Sequence, residues 1–463
     1  MTATARVPAA PPRSGIPGPA GGPLLGMARP LRSDLLGTLQ AGFARYGDVV
    51  AFRIGPARGP RRLRPLLVAV RHPDDLRRVM LATDVFVRRA PSYAVLRELF
   101  GDTLVTMEGA RWRRQKRILQ PLFTRRHVAQ YAALLEREAD RVVERWKEVG
   151  EEPVDVVQAM EQYALRVLGQ TLFAEEDGID AGTAAALERL VPHVGSQVVA
   201  RVTQLLRSPL RWPTPRNRRF LALRAELHET IERVLARRPP HDRGAGDLLS
   251  CLREARDPED GATTLTPREV RDEALMLMLA GHTTTADVLT SALYLLGRHP
   301  AVQEQVAASA ARDAADAGDL VRAAVQEAMR LHPPSYALAR RAASDCELGG
   351  HDVPAGTLVL AVPWATHRHP DFWPDPERFD PRRFAGEQQR PPFAYVPFSG
   401  GGRACIGRHL AMLESTILLR ALLRSYRLES LDATLPLSPL LSMRPESPVR
   451  IRLRPRGPVG ADA

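Results

Sequence analysis

Cysteine is scarce in this 463-residue chain: Cys251, Cys346 and Cys405 lie far apart, odd in number and without a C-x-x-C pair. That pattern argues against a disulfide framework and for a reducing compartment, the cytoplasm. Lysine is scarcer still. Lys116 and Lys147 are the only two, so the excess of Lys+Arg 65 over Asp+Glu 53, a net charge of +12, is almost entirely arginine. Aromatic residues make up 5% of the chain; with no basic patch interleaved with them and no nucleic-acid motif, nucleic acid is excluded as a partner. No apolar run reaches the ~20 residues a membrane-spanning helix needs, and no signal-peptide core opens the chain, so no membrane anchor is expected.

What is present suits a large buried core, with 44% hydrophobic and 25% charged residues. Residues 1–30 read as a Pro/Gly-rich lead, and with no internal repeat and no composition break, 31–463 reads as one domain. Amphipathic helices are expected over 126–149, 154–173, 216–237 and 318–331, the last stopped by His332-Pro333-Pro334. The segment 238–247 reads as an exposed connection. Cys346 to Val362, with its Gly pair and Pro-Ala-Gly turn, reads as a short hairpin. Residues 363–403 show no steady period, and a loop that long is functional or tightly packed. From Arg268 to Gly297 the chain is a helix apolar on nearly every side, hence internal, yet His282 to Asp287 interrupt it with polar groups.

The strongest local feature is Pro397-Phe398-Ser399-Gly400-Gly401-Gly402-Arg403-Ala404-Cys405-Ile406-Gly407, followed by an apolar helix pattern. The glycines let the backbone bend closely around something bulky. Cys405 falls at a helix start, where N–H groups and the helix dipole lower a thiol pKa. A lone cysteine ligand suits haem iron better than zinc, which takes about four ligands, while a buried cysteine in a Gly-rich turn is the plainer alternative. The phosphate-loop and dinucleotide motifs both fail here, for want of Gly-Lys-Ser/Thr and of a preceding strand.

Order along the chain decides between these. Glu327 and Arg330 sit three apart on one helix face; Pro376-Glu377-Arg378-Phe379 follows about 50 residues later, and F-x-x-G-x-R-x-C-x-G about 20 after that. In this order the sequence resembles the cytochrome P450 superfamily, from the Ile-Pro-Gly-Pro lead to the end of the chain. The resemblance implies a mainly α fold with small β-sheets, holding haem between a long distal helix and a cysteine-bearing proximal loop. Cys405 would be the axial iron ligand, favouring O–O cleavage of dioxygen, with Phe398 and Gly407 shaping its loop. Glu327, Arg330 and Arg378 would form a buried charge network behind that loop. Trp112, Lys116, Arg340 and Arg403 match positions that bind the haem propionates, with Lys116 standing where the family carries Arg and Arg117 beside it as a substitute.

Ala280-Gly281-His282-Thr283-Thr284-Thr285 resembles the family's distal A-G-x-D/E-T-T signature, where the small pair lets the helix widen and the threonine matching Thr284 supports proton delivery. Here Thr283 replaces the acid, leaving His282, Asp287 or hydroxyls and solvent to complete the relay. Substrate contacts are expected from the loop after Phe86, Val87 to Met107, from Leu277, Ala280 and Thr284, and from Ser335 to Leu338, including Tyr336 and Leu338. Their apolar character suits a terpenoid, fatty acyl or polyketide-like molecule. The expected activity is that of a soluble, monomeric, haem b monooxygenase using O2 and NAD(P)H-derived electrons from a separate ferredoxin and reductase, drawn to the Arg-rich surface. A peroxide-using or rearranging enzyme is the alternative, made credible by Thr283, and a non-catalytic haem protein the third.

Overall fold

The long apolar segment is a single helix, Pro267–Arg298, of 32 residues. A capping box starts it: the Thr266 hydroxyl accepts from the Glu269 N–H while Glu269 reaches back to the Thr266 N–H, and Pro267 occupies the first turn. Most of its residues are buried, so it is a central strut rather than a surface helix. The computed structural model describes residues 15–56, 65–173, 182–183, 185–186, 193–198, 209–236, 247–312, 319–386 and 390–457.

Two helical cores meet on this strut. Its C-terminal half packs with Ala132–Val149, Val156–Phe173, Leu320–Leu331 and the proximal helix Arg408–Ser425; its N-terminal half packs with Pro91–Phe100, Pro215–Ala236 and Leu248–Glu254. To one side lies a five-stranded sheet in the order Val49–Arg53, Leu66–Val70, Leu358–Ala361, Leu338–Ala342, Phe86–Val87. The pair Leu66–Val70 with Leu358–Ala361 is parallel and the other pairs antiparallel. Smaller sheets join Val154–Asp155, Arg450–Pro455 and Tyr426–Ser430, and Leu437–Pro439 with Met443–Pro445. The described part of the N-terminal lead packs on the large sheet, with Ile16 fully buried and the Ala51 N–H donating to the Pro17 carbonyl.

Three expectations change. The helix over 126–149 is broken into Arg125–Val128, a 3-10 turn at Ala129–Tyr131, and Ala132–Val149, with Val128 and Tyr131 buried ahead of the Leu135, Ala139, Val143, Trp146 stripe that docks the long piece. Val154–Asp155 is a strand before its helix. The hairpin is shorter than expected: Cys346–Leu348 pairs with His351–Val353 across Gly349-Gly350, whereas Leu358–Ala361 joins the large sheet, where its apolar residues find a core. The expected connection 238–247 lies outside the described residues except Asp247, which is buried and caps Leu248–Glu254. Segment 363–403 is largely irregular but tightly packed, with Trp373 and Phe379 buried.

Candidate active site

Between the distal helix and the proximal helix lies a cavity of about 950 Å³. Cys405 lines it, just before Gly407, which caps the proximal helix. The Cys405 N–H donates to the Phe398 carbonyl at 2.8 Å, closing the loop on itself. Gly401 has φ +65°, and a Cβ there would meet Leu81 at 2.5 Å, so the bend admits only glycine without rearrangement. Cys405 is exposed to the cavity, yet enclosure by the surrounding protein raises its thiol pKa, more than the Gly407 and Arg408 N–H groups and the Arg408 charge lower it. The helix terminus alone therefore does not make a thiolate here; a bound metal cation would, since a coordinating thiol is deprotonated.

The loop is held from behind by a fully buried pair. Arg330 Nε and NH2 donate to Glu327 at 2.7 and 2.8 Å, and the remaining N–H groups donate to the carbonyls of His367, Pro376 and Arg378. The guanidinium also lies over Trp373. His367, neutral because burial and then the charges of Arg330 and Arg368 push its pKa down to about 3, accepts from the Val396 N–H at the start of the cysteine loop. The expected third partner needs correction. Arg378 is exposed and contributes only its carbonyl, while Arg383 places Nε 3.4 Å from Glu327. The Asp380 N–H donates to Glu327 Oε1, which brings the second Pro-x-Arg-Phe segment, not the first, to the carboxylate.

At the cavity rim, cations gather without enough anions to balance them. Arg403 stacks on Trp112 at 3.7 Å and donates to the Leu104 carbonyl; Lys116 lies 5.5 Å over the same ring and donates to the Gly402 carbonyl. Arg340 donates to the Tyr93 hydroxyl at 2.7 Å, and Arg88 lies over the same tyrosine. Arg403 has its pKa pushed down to about 9, by burial first and then by Arg88 and Arg340; burial, Arg403 and Arg88 lower that of Lys116. Among the described residues Glu108 is the carboxylate near Arg88, and it is bonded to the Arg88 N–H and to Arg89. Such mutual repulsion between one buried and three half-buried cations fits a ligand bearing carboxylates, as the haem propionates are. Arg117, the expected substitute, pairs instead with Asp257 and Glu259. Arg88 and Tyr93 lie within Val87 to Met107, expected as substrate contacts; their place beside the rim cations carries no sequence signal, since a lone arginine among 65 basic residues makes no motif.

Across the cavity, Leu277, Ala280, Gly281 and Thr284 line the distal wall, and Ser335, Tyr336, Ala337 and Leu338 another. The distal helix stays α-helical through Ala280–Thr285, so the expected widening is not seen. Thr284 donates to the Ala280 carbonyl at 2.7 Å. A Cβ on Gly281 would come within 3.0 Å of Leu168, so the glycine lets Val156–Phe173 pack closely. Thr283 is buried outside the cavity lining and donates to the Leu279 carbonyl. Asp287 also turns away, accepting from Ser442 at 2.6 Å, and burial pushes its pKa up to about 7. His282 is kept neutral by burial and then by Arg444, with a pKa of about 4. Val87 to Met107 is not simply a loop: it contains Pro91–Phe100, and Tyr93, Leu96, Leu104 and Val105 face the cavity.

A single thiol at one wall of a large cavity, a hydroxyl-bearing helix at the opposite wall and carboxylate-seeking cations at the rim together define a haem-thiolate protein. The comparisons agree. The sequence pattern of the cytochrome P450 family matches residues 12–452. Cyclooctat-9-en-7-ol 5-monooxygenase of Streptomyces melanosporofaciens is 32% identical over 427 residues, 90% of each chain. Pentalenene oxygenase of Streptomyces avermitilis is 29% identical over 439 residues, 92% of this chain and 93% of that one. Among solved structures, CYP175A1 from Thermus thermophillus matches with a TM-score of 0.72 at 28% identity, covering 92% of this chain and 96% of its own. The chain belongs to the cytochrome P450 family and is a monooxygenase that uses haem and dioxygen. Among the described residues no helix is long and apolar enough to cross a membrane.

Proposed function

We propose that this enzyme inserts one oxygen atom from dioxygen into a terpenoid, using haem b and NAD(P)H-derived electrons delivered by a separate ferredoxin and reductase. The observation that carries the substrate class is the apolar section of the cavity wall, formed by Phe123, Leu172, Met276, Leu277, Ala337 and Leu440. The two Streptomyces relatives are named for the oxidation of terpenoid molecules. When bound, haem supplies dioxygen activation; Cys405 holds its iron, and Arg403, Lys116, Arg340, Arg88 and Trp112 hold its propionates. Thr284 is the hydroxyl that passes protons from the cavity side, with Gly281 and Thr283 setting its helix. Exposed Arg125, Arg322 and Arg408 stand close enough together to help lower the His409 pKa, after burial, and form the basic ground for an acidic electron donor. A reducing cytoplasm is the compartment proposed, on the three cysteines' odd number and wide spacing in the sequence.

A second reading, a peroxide-using enzyme, draws support from Thr283, whose hydroxyl is tied to a backbone carbonyl and offers the relay no acid. The test starts with the carbon monoxide difference spectrum of the reduced, haem-replete protein and of Cys405→Ala. A strongly red-shifted Soret band lost in the variant is expected; its absence from the wild type overturns thiolate ligation. Turnover of a terpenoid panel with NADPH, ferredoxin and reductase, against turnover with hydrogen peroxide alone, then separates the two readings.

A further inference from the structure

One polar group on the distal wall has no task in oxygen activation. Glu273 lies on the stripe Glu273, Leu277, Ala280, Thr284, whose spacing puts all four on one helix face. It is fully buried, and both of its hydrogen bonds, from the Leu104 N–H and from Gln115 Nε2, fall on Oε1. Among the described residues Oε2 has no hydrogen-bond partner. Burial, reinforced by Asp272 and Glu269, pushes the carboxyl pKa up to about 8 even against those two bonds, so at neutral pH the group holds a proton. With Oε1 accepting twice, the proton resides on Oε2, as a hydroxyl donor in an apolar wall. A buried donor left without an acceptor is destabilising, so a partner from the ligand is favoured.

We infer that Glu273 is a specificity residue whose Oε2–H donates to an oxygen atom of the substrate, so that the enzyme takes a terpenoid that is already oxygenated, an alcohol or ketone, rather than a hydrocarbon. This rests on the terpenoid reading above and narrows it. Eleven residues separate Glu273 from Thr284, roughly 16 Å along the helix at 1.5 Å per residue. The oxygen that anchors the substrate is therefore at the opposite end of the skeleton from the carbon oxidised beside Thr284. The reaction that supplies such a substrate is an earlier hydroxylation, or a cyclisation ended by water.

The test is a calorimetric binding titration of haem-replete protein with matched pairs, cedrol against cedrane and sclareol against labdane, in the wild type, Glu273→Gln and Glu273→Leu. The wild type is expected to bind each alcohol at least tenfold more tightly than its hydrocarbon. Glutamine keeps that preference, since its oxygen accepts from Leu104 and Gln115 and its amide N–H donates to the ligand. Leucine abolishes it, while the hydrocarbon serves as the control for any disturbance of the Leu104 segment. A protonated-carboxyl infrared band absent from Glu273→Gln shifts with cedrol and not with cedrane. Equal affinity for alcohol and hydrocarbon in the wild type, or an unchanged ratio in Glu273→Leu, overturns the inference and leaves the terpenoid reading standing. Failure of the wild type to bind either member of any pair overturns the terpenoid reading itself, and the inference with it.

Discussion

Replacing Arg330 with lysine keeps its charge and removes its geometry. Arginine has five N–H donors, and all five are used here: two on Glu327 and three on the carbonyls of His367, Pro376 and Arg378, at full burial. Lysine has three donors, so two of these five bonds are lost; one loss can fall on Glu327 Oε1, which still accepts from the Asp380 N–H, and at least one acceptor is left without a partner. At roughly 1–3 kcal/mol for an unsatisfied buried acceptor and about 0.5–1.5 kcal/mol for the other lost bond, Arg330→Lys loses about 1.5–4.5 kcal/mol, a large part of the roughly 5–15 kcal/mol that holds a protein folded. Arg383→Ala removes the second cation beside Glu327 and a bond to the Asp375 carbonyl, and is expected to cost about 1–3 kcal/mol. Arg378→Ala removes an exposed side chain and keeps the carbonyl that Arg330 uses, so its effect stays within about 0.5 kcal/mol. Thermal unfolding and the haem-to-protein ratio after purification rank the three variants: Arg330→Lys worst, Arg383→Ala next, Arg378→Ala like wild type. If Arg378→Ala lost haem as badly as Arg383→Ala, the assignment of the network would be wrong.

Two further outcomes follow from the distal helix and the buried titrating groups. Thr284→Val should lower product formed per electron pair about tenfold or more, whereas Thr283→Val, whose hydroxyl serves only the Leu279 carbonyl, should change coupling less than about twofold; peroxide release beside product formation measures both. Stability should peak on a plateau between about pH 4.5 and 6.5. Burial raises Glu273 and Glu414 to about 8 and Asp287 to about 7, so above pH 6.5 the unfolded chain has released protons that the folded chain retains, and stability falls as pH rises toward 8. Burial lowers His282 to about 4 and His332 and His367 to about 3, so below pH 6.5 the unfolded chain binds protons the folded one refuses. The two sets oppose each other down to about pH 4.5; below that these buried carboxyls are protonated in both states, and the histidines are joined in lowering stability by carboxylates whose pKa the fold depresses, among them Asp260, held at about 2, Asp48 and Glu269. Denaturant melts at fixed ionic strength from pH 4 to 8 read this curve; a steady rise in stability from pH 6.5 to 8 would contradict it.

What the sequence revealed of this site, and what it hid, divides by the range of the interactions. Glu327 and Arg330 are three residues apart on a helix, and their pairing is settled locally, as is the Gly-rich approach that forces the chain around Cys405. The third member of the network is not local. Pro376-Glu377-Arg378-Phe379 and Pro381-Arg382-Arg383-Phe384 offer the same pattern five residues apart, and only the packing of Asp380 against Glu327 chooses between them. Arg88 and Tyr93 join the rim because strand Phe86–Val87 ends there and Pro91–Phe100 starts there, a juxtaposition that exists only once the large sheet has formed.

Thr283 and Glu273 are a different case. Helical periodicity alone puts 273, 277, 280 and 284 on one face and turns 283 about 100° away, so both placements follow from the sequence once the helix is accepted. The family signature drew the eye to the pair 283 and 284 because they are adjacent in the chain, but adjacency on a helix separates side chains. The missing acid at 283 therefore removes a group from the helix's buried side, where Leu279 already satisfies the threonine, while the acid that does face the cavity stands eleven residues earlier, out of reach of Thr284. Proton delivery and carboxyl chemistry are thus separated along this helix, which leaves Glu273 free to act on the substrate alone.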